Sequence, residues 1–346
     1  MITSTPAPSG DPPPAAARGR WSTPVSRIRL EGTDARRFLH GQSSQAIELA
    51  RPGACIATCL ISPTARMRAL ALACVDDGGI ELLVLAGDGA AVHQSLDRVL
   101  FPADRVRLGP PQPATLVRWL GAATDSITGG MAGDGARLLQ PGVDLGAGRG
   151  QPALLLETPT TALPAWLEAL PELNPEQRER LRLRQGFPAA PEELNDDTNP
   201  FELGLADWVS LSKGCYVGQE TLAKLATYDG VKQQLRYWRT DRTDPAAADA
   251  CAPGTPLSTT AGGRAGVITS VLAGPDGLEG LALVRRQALA EAELVVAAGD
   301  TPTSAAEAEA GAALEGGPLQ LAIQLPAGFT APPVGAGGGG AGPQAA

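Results

Sequence analysis

The apolar residues of this chain come in strand-length runs, each cut short by turn residues. Cys55–Ile61, Arg68–Val75 and Ile80–Leu85 are divided by Ser62-Pro63-Thr64 and by Asp76-Asp77-Gly78-Gly79. Runs of that length rich in Val, Ile, Leu and Cys, with Pro and Gly between them, predict an antiparallel meander with one buried face. Upstream, Val25–Leu30 alternates as a strand, and Gly32-Thr33-Asp34 supplies a turn and cap before a helix over Ala35–Gln42. No apolar run reaches the roughly 18 residues that a membrane span requires, so no membrane partner is expected.

The rest of the chain mixes both kinds of pattern. Helices are predicted over Ala90–Leu100, Leu163–Leu170 and Pro175–Arg184, and Ala103–Leu108 leads toward another strand. Further strands are predicted over Thr115–Leu120 and Ala153–Glu157 around a Gly-rich loop at 121–150. Gly266–Val271, Leu278–Val284, Glu293–Val296 and Leu319–Leu325 read as short strands of a small C-terminal β-barrel or sandwich. The class is therefore α+β, antiparallel sheets with helices packed against them. Residues 1–20, rich in Pro, Ala and Ser, read as a disordered tail, and 326–346 as a Gly-rich one. Between them lie an α+β region over 21–240, divided near 109/110 by Pro110-Pro111-Gln112-Pro113, and a barrel region over 241–325 that opens with a linker to Pro256.

Charge and cysteine usage exclude several functions. The net charge of −9 over 346 residues argues against a general nucleic-acid binder, whose footprint is a basic face. Five scattered cysteines, Cys55, Cys59, Cys74, Cys215 and Cys251, form no disulfide framework and no Cys-x-x-Cys, and only two histidines exist, so reduced thiols and no metal site are expected. With no secretory signal pattern in the first twenty residues, a cytoplasmic location is the default.

One segment stands apart chemically. Leu211-Ser-Lys-Gly-Cys-Tyr-Val-Gly-Gln-Glu220 gathers an amine, a thiol, a phenol, an amide and a carboxylate. Every lysine (Lys213, Lys224, Lys232) and every tyrosine (Tyr216, Tyr228, Tyr237) of the protein lies between residues 213 and 237. Elsewhere arginine is the basic residue, which suggests that this window needs the compact ammonium rather than the planar fork. Residues 213–242 hold six cations against three anions, a local excess that suits an anionic small ligand. The pattern reads as turn, exposed thiol and helix start, with Cys215 favoured as thiolate by Lys213 and by the following helix N-terminus. The alternative is that Cys215 is a small buried hydrophobe.

Lys213-Gly-Cys-Tyr-Val-Gly-Gln-Glu220 resembles the signature of the YgfZ-type folate-binding proteins, relatives of the glycine-cleavage aminomethyltransferase. The run Glu193–Leu205, with Asn195, Asp196, Asp197 and Asn199, and the stretch Gly266-Val-Ile-Thr-Ser270 resemble the same family, so the likeness spans roughly residues 25–325. It implies an aminomethyltransferase-like fold around a central cavity that takes tetrahydrofolate or another folate derivative. It also implies a role in maintaining iron–sulfur enzymes, and through them tRNA modification, with iron–sulfur client or assembly proteins as partners. In that picture Cys215 and Lys213 are the reactive pair, and Lys213, Gly214, Tyr216, Gly218, Gln219, Glu220 and Asn199 shape the folate site. Two positions depart from the family pattern. Ser43-Ser44-Gln45 stands where Thr-Asn-Asp is common, and Arg184 stands where a pterin-binding glutamate is common. A tetrahydrofolate-dependent one-carbon transferase is the second reading, and a non-catalytic scaffold the third.

Overall fold

The structure is a computed structural model, which describes residues 18–121, 135–146, 148, 151–158, 160–296 and 318–334. In chain order the elements are β1 (Gly19–Glu31), α1 (Ala35–Gln42), β2 (Cys55–Ile61), β3 (Met67–Asp76), β4 (Gly79–Ala86), α2 (Gly89–Asp97), β5 (Arg107–Leu108) and β6 (Gln112–Leu120). They continue with β7 (Ala136–Leu139), β8 (Ala153–Leu156), α3 (Ala165–Glu168), α4 (Pro175–Gln185) and α5 (Gln219–Thr227). The C-terminal region holds β9 (Gln233–Thr240), α6 (Pro245–Ala250), β10 (Pro256–Ser258), β11 (Arg264–Gly274), β12 (Gly277–Arg285), β13 (Glu293–Val296) and β14 (Gln320–Gln324). The α+β expectation holds, with antiparallel sheets and few helices.

Seven strands form one antiparallel sheet in the order β2-β3-β4-β1-β6-β8-β7, with β5 added beside β1. The long β1 sits at its centre because its two halves pair with different partners, Ser26–Glu31 with β4 and Gly19–Arg27 with β6. The Pro110–Pro113 stretch therefore does not separate one sheet from another: β6 starts inside it and pairs at once with β1. Gly19 and Arg20, expected in a disordered tail, are strand residues; residues 1–17 lie outside the described ones. β7 likewise forms within the predicted 121–150 loop.

The meander was expected to bury one face and buries two. On β3, Ala69, Ala71, Ala73 and Val75 face a cluster with Ile28, Leu39 and Leu96 under α1 and α2, whereas Leu70, Leu72 and Cys74 face the larger central core. A period-2 backbone buried on both sides reads as a continuous apolar run, which is how this strand is written.

A closed barrel of order β10-β11-β12-β9-β14-β13 forms the C-terminal region. Its core holds Trp238, Ile268, Leu294 and Leu321. β9, at 233–240, is a barrel strand paired along its length with β12, although the sequence placed it in the preceding region. The predicted linker contains α6, capped by Asp244, with Ala247 and Cys251 buried in the barrel core. Residues 326–330, expected in a flexible tail, dock on the α+β region: Ala327 and Gly328 N–H donate to the Arg184 and Gln185 carbonyls, and Phe329 stacks over Gly204. Residues 335–346 lie outside the described ones.

Candidate functional site

Residues 211–218 turn between a short 3-10 segment, Ala206–Trp208, and α5. Gly214 and Gly218 have φ of +105° and +82°, a region where side chains are strained. At Gly218 space is closed as well, because a Cβ would lie 2.6 Å from the Ser62 carbonyl oxygen and 2.8 Å from Ile61 Cδ1. The turn is clasped by α1. Lys213 Nζ donates to the His40 carbonyl, and Val217 N–H donates to the Gly41 carbonyl at 3.1 Å. In return His40 Nε2 lies 3.1 Å from the Lys213 carbonyl, while its Nδ1 accepts the Ile47 and Glu48 N–H groups at 3.2 Å each. An Nδ1 that accepts twice leaves the ring proton on Nε2, so His40 donates to Lys213.

The Lys213 ammonium also lies 4.5 Å from the centre of the Tyr216 ring. Burial pushes its pKa down from 10.5 to about 8, against a smaller opposing pull from Glu48. Tyr216 is buried in the central core, its hydroxyl without a hydrogen-bond partner among the described residues, and burial pushes its pKa up. Gln219 reaches back to the Leu211 carbonyl at 3.4 Å, and Glu220 pairs with Lys224 on the surface of α5 at 2.7 Å. Asn199 is buried, and its Oδ1 accepts from the Phe201 and Glu202 N–H groups, closing its own turn.

Cys215 is exposed, which removes the buried-hydrophobe alternative. It is not wrapped against a chamber. Cavities of about 210, 470 and 500 Å³ exist among the described residues, and none is lined by Cys215, Lys213, Gly214, Tyr216, Gly218, Gln219, Glu220 or Asn199. The hydrogen bond of the Lys213 ammonium runs to His40, not to Cys215. The structure thus gathers the signature into one turn whose hydrogen bonds are mostly to its own scaffold.

The cavity of about 470 Å³ lies elsewhere, between the middle of the large sheet and α4. Trp21 and Arg118 are register partners on β1 and β6, and the Arg118 guanidinium carbon lies 5.2 Å from the Trp21 ring centre and 5.9 Å from that of Phe187. Phe187 is held just past α4 by the left-handed cap at Gly186, and its ring lies 6.4 Å from that of Trp208. Arg118 donates to Thr23 Oγ1 at 2.6 Å and to the Leu145 carbonyl, while its Nε has no partner among the described residues. Burial, opposed by Asp144, brings its pKa down to about 10. A guanidinium between aromatic faces and without a bonded carboxylate among the described residues is an attractive surface for an electron-rich ring or an anion.

The helix side of the cavity is set by Arg178, Glu179 and Arg182. Arg182 forks onto Glu179 at 2.6 and 2.9 Å and also donates to Glu193 at 3.0 Å, the Phe187 carbonyl at 3.0 Å and Ser270 Oγ at 2.8 Å. Glu193 is wholly buried, and its oxygens accept from Thr269 and Ser270 hydroxyls at 2.6 Å each, from Arg182, and from the Ala189 N–H. A buried carboxylate persists only when its lone pairs are filled in this way. The network ties α4, the 187–193 turn and barrel strand β11 into one wall.

Sequence reading missed Trp21, Arg118, Arg182, Phe187 and Glu193. Two weak signals were available: aromatics are scarce in this chain, at 4%, and Glu193 opens one family-like stretch while Thr269-Ser270 closes another. The two departing positions are structural here. Ser44 Oγ donates to the Trp208 carbonyl at 2.5 Å and accepts the Cys59 N–H, and Gln45 donates to the Asp207 carbonyl. Arg184 bonds Glu279 at 3.1 Å beside Arg180 and Tyr237, facing the barrel rather than the aromatic cavity.

No family model matches the chain. It is 30% identical over 285 residues, 76% of its own length, to an Arabidopsis thaliana protein provisionally named a chloroplastic transferase, and it spans 64% of that relative. Among solved structures it resembles the glycine cleavage system aminomethyltransferase T from Bartonella henselae, with a TM-score of 0.69 at 17% identity, covering 89% of this chain and 86% of that one. With its curled antiparallel sheet, its closed six-stranded barrel and few helices, the chain has the aminomethyltransferase-like fold.

Proposed function

We propose that the chain is a YgfZ-type protein that binds tetrahydrofolate or a related folate in the cavity bounded by Trp21, Arg118 and Phe187. The observation that carries this is the half-buried Arg118 guanidinium between two aromatic rings. A cavity of about 470 Å³ falls within the roughly 300–1,000 Å³ of small-molecule sites. Its walls fit the group chemically: aromatic faces for a flat pterin, guanidiniums at Arg118 and Arg178 for carboxylates or ring acceptors, and the Glu179 carboxylate for ring N–H donors. When bound, the folate supplies a carrier for a one-carbon unit. The protein residues hold it, shield it and fix its orientation. The basic window at 213–242, first read as the place for a folate tail, supplies none of these guanidiniums.

The finer reading is that folate binding supports the assembly or repair of iron–sulfur enzymes, and indirectly tRNA modification, in the cytoplasm. In it Cys215 and Lys213 present a solvent-facing thiol turn to an iron–sulfur client or assembly protein. Cys215 exposure supports this, because an accessible thiol can exchange with a partner. A tetrahydrofolate-dependent one-carbon transferase is the second reading, favoured by the fold and by the name of the plant relative. The residues at 43–45 and 184, engaged in structural bonds, favour the first.

Calorimetric titration with tetrahydrofolate tests the proposal. Wild type binds, Arg118→Met weakens binding by roughly tenfold, about 1.4 kcal/mol, and Cys215→Ala and Lys213→Ala bind as wild type does. No heat with wild type, or loss on Cys215→Ala but not Arg118→Met, overturns it. Steady-state turnover of an aminomethyl or N-methyl donor would promote the transferase reading.

A further inference from the structure

Among the five cysteines, Cys55 and Cys74 are set apart by their position. They are direct register partners on β2 and β3, and their sulfurs lie 2.9 Å apart. Next to them the Val75 N–H donates to the Ala54 carbonyl at 2.8 Å. Antiparallel pairs alternate, so a hydrogen-bonded 54/75 pair makes 55/74 a non-hydrogen-bonded one, the kind whose Cα atoms approach to about 4.5 Å and whose side chains stand closest. That spacing is inside the range a disulfide spans, roughly 4.4–6.8 Å between Cα atoms. Cys59 and Cys251, by contrast, are buried with no thiol partner.

The pair is also reachable. Cys55 is half-buried, and both sulfur-bearing residues border the cavity of about 210 Å³, whose opposite wall is Arg137–Gln140 at β7. β2 and β7 are the two ends of the sheet order, so the sheet curls until its edges share this cavity. Arg137 reaches across the curl to Glu81 on β4. The dithiol thus sits at the seam of the curled sheet, beside a space too small for a peptide and large enough for a small oxidant.

We infer that Cys55 and Cys74 form an oxidisable dithiol site that a small hydroperoxide converts to a cross-strand disulfide. The Cys55 sulfur attacks the nearer peroxide oxygen, the O–O bond breaks, and the leaving oxygen takes the thiol proton and departs as water or alcohol. The resulting Cys55 sulfenic acid is attacked at sulfur by Cys74. The S–S bond forms as the S–O bond breaks, and hydroxide leaves with the Cys74 proton as water. Two thiols lose two electrons to the O–O bond, and the sulfurs close by roughly 0.9 Å, from 2.9 Å to the covalent length of about 2.05 Å. Proton sharing with Cys74, and then burial, push the Cys55 thiol up, while Arg137 pulls it down. Thiolate is therefore scarce near neutrality, and the oxidation rate climbs with pH.

The test uses the full chain carrying Cys215→Ser, which removes the exposed thiol, treated with hydrogen peroxide and mapped by peptide mass spectrometry. The expected result is loss of two thiols together, a cross-linked Cys55–Cys74 peptide, and recovery of both thiols with dithiothreitol. Adding Cys74→Ala abolishes the cross-link and leaves a Cys55 sulfenic acid that dimedone traps. Circular dichroism in reductant establishes that this variant folds, and if it does not, the map of the Cys215→Ser chain alone decides. Both thiols staying free, or Cys55 advancing to sulfinic acid while Cys74 stays reduced, overturns the inference. None of these readouts requires folate, so they stand or fall apart from the proposed function.

Discussion

The 211–220 turn and the aromatic cavity handle their charged groups in opposite ways. The turn keeps Cys215 and Glu220 in solvent and is secured by backbone contacts to α1, with one exposed i,i+4 pair on α5. The cavity wall buries a carboxylate completely and fills every lone pair from three separate segments, 182, 189 and 269–270. Surface charges need little company, because water solvates them. A buried one demands a full set of partners, so a chamber able to orient a ligand has to be assembled from distant stretches of the chain.

That contrast breaks most readily at Glu193. Glu193→Ala takes the shared acceptor from the Thr269 and Ser270 hydroxyls, the Ala189 N–H and one arm of Arg182, and leaves a void among them, so urea unfolding is expected to show a loss of about 3–5 kcal/mol. A loss no larger than that of an ordinary surface change, about 0.5 kcal/mol, would mean the wall is not held by its ion network.

Gly218→Ala probes the other region. With φ at +82° and a backbone oxygen 2.6 Å from the new Cβ, it is expected to cost about 1–3 kcal/mol. Gly214→Ala meets nothing within 4 Å and carries only the cost of a side chain at φ +105°, about 1–2 kcal/mol. Equal effects from the two would show that the clasp against Ser62 is not what shapes the turn.

The pH response of Lys213 tests the turn in another way. Its folded pKa of about 8 lies below the ordinary 10.5, so between those values the unfolded chain binds the extra proton. Stability then rises with pH across that window and carries the full cost of burying the charge below about pH 8. Denaturation curves of wild type and Lys213→Met, taken from pH 7 to 10.5, are expected to converge as pH rises. Parallel curves would place the ammonium in solvent and weaken the distinction drawn between clasp and surface.

The motifs were legible where the signal was local. Lys213–Glu220 announced a turn with an exposed thiol and a helix start, and α5 begins at Gln219 after a left-handed Gly218. Asn174-Pro175 at the head of α4 carries its capping box in four consecutive residues. What the turn faces could not be read in the same way, because His40 lies 173 positions from Lys213. The cavity was less legible still. Trp21 meets Arg118 only because β1 is long enough to pair with β6 beyond its β4 partner. β9 does not read as a strand at all and is defined only by its pairing with β12, and Pro326–Thr330 reads as a tail until Gly186 and Gly204 offer it a seat.

By itself the sequence determined most of the elements, though not β7, β9 or α6: strand-length apolar runs, Pro and Gly punctuation and helix caps each act through neighbours within a few residues. Tertiary structure alone decided that one face of each inner strand would serve the helices and the other the central core, and that Glu193 would meet Ser270. It also decided that two cysteines nineteen positions apart would touch at a seam. The reason is physical: backbone preference is local, whereas desolvation of a charge or an aromatic face depends on every segment that folding brings against it.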